Sequence, residues 1–115
     1  MTTFTVPGKP IPKGRPRLGR SGVYTPSRTK QHEDLIAWRA RAAGVKPTTG
    51  PVHLEIDFEI KGKVHGDLDN LVKTVMDGLN GIAYADDRQV VKVTAALYTQ
   101  VEGDVTRVVV EEVTR

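Results

Sequence analysis

The sequence predicts an α+β fold: one domain in which a mixed β-sheet of about four strands is packed with two main helices. Three observations point there. Residues 52–60 alternate apolar and polar as a strand with one buried face. Residues 25–43 and 68–79 each carry a helix start, a periodic body and a glycine near the stop. Runs rich in Val and Thr near both ends of the chain supply the remaining strands.

In chain order, Thr2–Val6 alternates weakly and is the first strand. Pro7 to Val23 is rich in proline and glycine and has no periodicity, so it reads as a loop. Its basic part, about residues 8–23, holds Lys13, Arg15, Arg17 and Arg20, which are assigned to gripping a phosphate backbone. Pro12-Lys13-Gly14-Arg15-Pro16-Arg17 is close to a minor-groove Gly-Arg-Pro element, but one short match favours a phosphate-contacting loop instead, with Tyr24 as a stacking face. Thr25-Pro26 starts a helix with a capping hydroxyl and a proline at the first helical position. That helix runs to about Ala43, buries Leu35, Ile36, Trp38 and several alanines, and stops at Gly44. Trp38 is read as core or subunit interface rather than as a base-stacking residue.

Val52, Leu54, Ile56, Phe58 and Ile60 form the apolar face of the central strand. Its polar face carries His53, Glu55, Asp57 and Glu59, for which a solvated surface is the favoured reading. If any of these acids is a metal ligand, Glu59 or Asp57 is the best placed to approach the acidic site. Leu68, Leu71, Val72, Val75, Met76 and Leu79 then recur at helical spacing, and Asn80-Gly81 supplies the left-handed stop. Gln89–Thr99 and Val105–Val113 are the last two strands, with Glu102-Gly103-Asp104 as a hairpin turn between them. Val108-Val109-Val110 is apolar on both faces, so that strand is central or covered by a partner.

Composition narrows the functional classes. The 115 residues suit one domain, read as 1–115, and contain no cysteine, so disulfides and thiolate zinc sites are excluded. No continuous apolar stretch approaches about 18 residues and no signal-peptide pattern opens the chain, which predicts a cytoplasmic protein with no membrane partner. The net charge is only +3, but residues 1–30 hold seven of the 17 Lys and Arg and no acid, while acids concentrate over 55–87. A positive lobe beside a negative pocket suits a metal-dependent enzyme acting on a polyanion.

The negative pocket is the most informative stretch. Asp67, Asp69, Asp77, Asp86 and Asp87 gather around one apolar helix. Two carboxylates about 5 Å apart repel by about 3 kcal/mol at an effective dielectric near 20. Such a collection predicts a cation among them, most simply a divalent metal. Asp67 just before the helix and Asp69 at its cap or in its first turn would converge, and Lys73 lies one turn further on, within reach of what Asp69 binds. Carboxylates hold Mg²⁺ while leaving waters on the ion, and a nearby lysine orients such a water or offsets phosphate charge. His65 is a further metal or phosphate candidate, although a lone histidine in a glycine-rich loop is more often neither. An EF-hand is excluded by the missing glycine and glutamate of its loop, and there is no Gly-x4-Gly-Lys phosphate loop, no GxGxxG, and therefore no nucleotide cofactor. No Gly-x-Ser-x-Gly nucleophile elbow is present.

Asp67-Leu68-Asp69-Asn70-Leu71-x-Lys73, followed by Asp77-x-Leu79-Asn80-Gly81-Ile82-x-Tyr84-x-Asp86-Asp87-x-Gln89-Val90, resembles the RusA family of Holliday-junction resolvases of bacteria, prophages and phages. The resemblance implies a homodimeric endodeoxyribonuclease that uses Mg²⁺, with Mn²⁺ as a substitute, to nick four-way branched DNA at paired symmetric positions in recombination and repair. It implies catalytic roles for Asp67, Asp69, Lys73 and Asp87, with Asp67, Asp69 and Asp87 as metal ligands and Asp86 as a neighbouring acid that could join them. A twofold pair of subunits suits two symmetry-related cuts. Two other readings of the residues stay open: a non-catalytic DNA-binding module whose acids cap helices, and a nuclease for flaps and other branched DNA.

Overall fold

The computed structural model describes residues 1–13, 17–19, 22–24, 27–63 and 66–113, with 17–19 and 22–24 described by their backbone. The elements are β1 (Thr2–Pro7), β2 (Arg17–Gly19), β3 (Gly22–Tyr24), α1 (Ser27–Ala42), β4 (Val52–Ile60), α2 (Leu68–Gly78), a 3-10 turn (Asp87–Gln89), β5 (Val90–Thr99) and β6 (Val105–Glu112). Four strands form one mixed sheet in the order β1-β6-β4-β5, and β2 pairs with β3 in a separate ribbon. This is the expected α+β architecture.

The alternation of β4 explains its central place. Val52, Leu54, Ile56, Phe58 and Ile60 are all buried on the face that carries the helices. Phe4 and Val6 of β1 and Val108 and Val110 of β6 extend that face. Ile36 and Ala40 of α1, and Leu71 and Val75 of α2, cover it together with Leu79, Ile82, Ala83 and Tyr84. Each large side chain buried in this way contributes about 1.5–3 kcal/mol. The opposite face of the sheet carries Glu55, Asp57 and Glu59, with Glu59 accepting from Arg107 Nε at 2.6 Å. The sheet itself therefore separates these acids from α2.

Three expectations are corrected. Glu102-Gly103-Asp104 does not close a hairpin, because β5 and β6 are not neighbours: β5 runs parallel to β4 and β6 antiparallel to it on the other side. A parallel partner of β4 requires a crossover, which α2 provides, and the chain must then pass the end of β4 to reach its second edge. That passage is fixed by Lys61 N–H on Asp104 Oδ1 (2.8 Å) and Gly8 N–H on the Asp104 carbonyl (3.1 Å). Second, the segment read wholly as loop contains the β2–β3 ribbon, whose three-residue strands are too short to show a period of two. Third, Trp38 is 63% exposed, so its core reading fails. The buried stripe of α1 is Thr29, His32, Ile36 and Ala40, and Trp38 lies about 200° around the helix from Ile36. Leu68, expected on the apolar side of α2, is also exposed.

The two helices meet closely. A Cβ on Gly78 of α2 would lie 3.1 Å from the Glu33 carbonyl and from Ile36 of α1. Only glycine allows this approach without displacing its neighbours.

Candidate active site

The site is built along α2 and the turn that follows it. Asp67 is the residue before the helix, in an extended conformation (φ −85°, ψ 152°), as the sequence predicts. Its side chain makes no capping hydrogen bond. Asp69 follows in the first turn and accepts from Asn70 N–H at 3.0 Å through Oδ1. Both aspartates are exposed. The unpaired N–H groups at this helix end stabilise their negative charge locally.

Gly66, with φ +114°, brings the N-terminal segment onto this end of the helix. A Cβ at Gly66 would lie 2.8 Å from Pro12 Cβ, so both the left-handed backbone and the contact require glycine. The contact is extended by Lys13 N–H, which donates to the Asn70 carbonyl at 3.0 Å.

One turn along α2, Lys73 Nζ stands 3.6 Å from Asp77 Oδ1 and 3.7 Å from Asp87 Oδ2. Asp87 reaches it because two residues fix the connecting turn. Tyr84 is fully buried and its hydroxyl donates to the Met76 carbonyl at 2.7 Å, satisfying an acceptor at the end of α2. Burial first, and then the charges of Asp87 and Asp77, push the Tyr84 phenol above its usual pKa. Gln89 accepts from Ala85 and Asp86 N–H through Oε1 and donates through Nε2 to the Thr48 (2.7 Å) and Gly50 (3.1 Å) carbonyls. The turn is thereby tied to a distant loop. Tyr84 and Gln89 were visible in the sequence only as members of a motif, not as the supports of Asp87.

Asp86 and Asp87 are adjacent but differently employed. Asp86 caps the 3-10 turn, its Oδ1 accepting from Arg88 N–H at 2.9 Å and its Oδ2 from the Arg88 guanidinium at 3.2 Å. The backbone bond first, and the guanidinium second, hold the Asp86 carboxyl below its usual pKa. Both of its oxygens are thus engaged by Arg88. Asp87 faces Lys73 instead.

Lys13 does not face solvent as a residue of a basic loop would. Its ammonium is turned inward, 2.7 Å from Glu33 Oε2 on α1 and 3.0 Å from Asp77 Oδ2 on α2. Burial would lower its pKa, but the hydrogen bonds and charges of Glu33 and Asp77 outweigh burial and leave it raised. Neither Glu33 nor this inward direction was predicted. The signal is absent from local sequence, because the partners come from two different helices. The side chains of Arg15, Arg17 and Arg20, and His65, lie outside the described residues.

Among the described residues no three His, Cys, Asp or Glu side chains form a ready-made metal cage. Mg²⁺ does not need one, since it is held by one or two carboxylates and keeps several waters. The donor chemistry fits such an ion: Asp67 has no hydrogen-bonding or ion-pairing partner among the described residues, and Asp69 keeps an oxygen free there. Among the same residues no helix is long and apolar enough to cross a membrane.

Two comparisons with known proteins bear on this arrangement. A family model described as endodeoxyribonuclease RusA matches residues 7–112. An uncharacterized protein of Bacillus subtilis (strain 168), YqaN, is 29% identical over 138 aligned positions that cover 96% of this chain and 95% of the relative.

Proposed function

Since the chain belongs to the RusA endodeoxyribonuclease family, we propose that it is a Mg²⁺-dependent, structure-selective endodeoxyribonuclease that resolves four-way DNA junctions as a homodimer. The observation that carries this reading is Lys73 within 3.7 Å of Asp87 on the helix whose open start presents Asp67 and Asp69. A cation and carboxylates held this closely, with the acids at the helix start free of side-chain partners among the described residues, suit phosphodiester hydrolysis better than helix capping.

Asp67, Asp69 and Asp87 are the candidate ligands, with one or two of them binding the ion directly and the rest reaching it through the waters it keeps. Bound there, Mg²⁺ (or Mn²⁺ in its place) supplies positive charge against the phosphodiester and makes an attacking water more acidic. Lys73 orients that water or steadies the charge that develops on the phosphate. Tyr84 and Gln89 keep Asp87 in place without touching the substrate. Arg15, Arg17 and Arg20 grip the backbone of branched DNA, and Lys13 anchors the segment that bears them. Such a substrate places its work in the cytoplasm of a bacterial or phage-infected cell, in recombination and repair. The twofold contact that paired nicks need has two apolar surfaces available: Trp38 on α1, and the sheet edge β5 with Val91, Val93 and Tyr98 exposed.

Asp69→Asn tests the reading. It should abolish Mg²⁺-dependent cleavage of a synthetic four-way junction while binding of that junction persists. Undiminished cleavage by the variant refutes the catalytic assignment. Running junction, flap and linear duplex side by side at one salt concentration separates a resolvase from a nuclease of broader taste.

A further inference from the structure

Glu33, Lys13, Asp77, Lys73 and Asp87 form a row of alternating charge across α1, the N-terminal segment, α2 and the turn after it. The contacts along the row are 2.7, 3.0, 3.6 and 3.7 Å. Glu33, Lys13 and Asp77, the first three of the row, are 12%, 20% and 17% exposed, against 51% for Lys73 and 30% for Asp87. The two short contacts are thus the sheltered ones, where charges interact most strongly. Lys73 stands between two carboxylates at nearly equal, loose distances, as a cation does when neither attraction prevails.

We propose that Lys13, clamped by Glu33, partly neutralises Asp77 and so sets how far Lys73 stands from Asp87, which makes Lys13 and Asp77 positioning residues for the site. Were Asp77 bare, it would draw Lys73 away from Asp87. Were Asp77 uncharged, Lys73 would close onto Asp87 and occupy a carboxylate meant for the metal. The clasp lies beside the close approach of Gly78 to Glu33 and Ile36, so the two helices also meet at a point that involves no charge. It also ties the root of the basic segment, through Lys13 N–H on Asn70, to the helix that bears Lys73.

The inference rests on the nuclease reading for its consequence, but not for its geometry, and the test keeps the two apart. Crystal structures of metal-free Asp77→Asn and Lys13→Met are expected to show opposite displacements. In Asp77→Asn, Lys73 Nζ closes to about 2.8 Å from Asp87; in Lys13→Met it moves toward Asp77 and away from Asp87. In junction cleavage, Asp77→Asn raises the Mg²⁺ concentration for half-maximal rate about fivefold. Lys13→Met lowers kcat about tenfold with KM within about twofold, a penalty in keeping with a slightly misplaced group. Lys13→Arg restores the parent behaviour. A Lys73 that stays in place in both variants, or moves the same way in both, overturns the proposal, and so does a loss of Tm with unchanged Lys73 geometry. If the parent protein shows no Mg²⁺-dependent cleavage, the nuclease reading fails, and the two crystal structures still decide the clasp.

Discussion

The two ends of α2 handle negative charge in opposite ways. At the start, Asp67 and Asp69 are exposed, and no cationic side chain pairs with them among the described residues. Toward the end, Asp77 is mostly buried and has a lysine on each carboxylate oxygen. Helix electrostatics accounts for part of the contrast, because the N-terminus tolerates free acids and the C-terminal half does not. The remainder is packing: the start of the helix is left open, whereas Lys13 and the turn after the helix close over its end. The contrast teaches that acid content alone does not show which carboxylates stay open to a ligand.

The comparison breaks most decisively at the start of the helix. Asp67→Asn should lower Mg²⁺-dependent junction cleavage by about a hundredfold or more, since a ligand oxygen is lost. Thermal unfolding should barely move, because the Asp67 side chain makes no capping bond. A large drop in Tm with cleavage retained would reverse the assignment of the two ends.

The far end should show the converse. Gly78→Val forces a branched side chain into a space where even a Cβ lies 3.1 Å from Glu33 and Ile36. Overpacking of this kind costs about 1–3 kcal/mol, to be read as a lower denaturant midpoint in urea. An unchanged midpoint would mean that α1 and α2 are not held at this distance. Tyr84→Phe is the finest test. It leaves the Met76 carbonyl without its 2.7 Å donor and should cost about 1 kcal/mol. The same variant should slow cleavage modestly, because Asp87 loses a support; unchanged stability would show that the phenol is not what pins the turn.

Much of this was legible from residue order because its causes are local. The alternation over 52–60, the periodicity after Asp67 and the stop at Asn80-Gly81 each act within a few residues, and β4 and α2 emerged nearly as read. The extended Asp67 ahead of the helix and Asp69 in its first turn followed from the same local geometry. The misses share the opposite character. The Val-rich end of the chain looked like a hairpin because adjacency in sequence was taken for adjacency in the sheet, whereas β4 stands between β5 and β6. The core half of the Trp38 reading rests on its chemistry and fails because the position on α1 points outward, while the subunit-interface half is compatible with that exposure.

By itself, then, the sequence determined the long elements, most of their apolar faces and the acidic helix, because steric and hydrophobic periodicity are properties of short segments. Only the tertiary structure decided which charges meet. Lys13 belonged by its neighbours to a basic loop, and the packing of α1 on α2 turned it toward Glu33 and Asp77. Asp86 and Asp87 are chemically the same residue side by side, and the turn held by Tyr84 and Gln89 gave one to Arg88 and the other to Lys73. Electrostatic partnership depends on distance in space, which the order of residues does not carry.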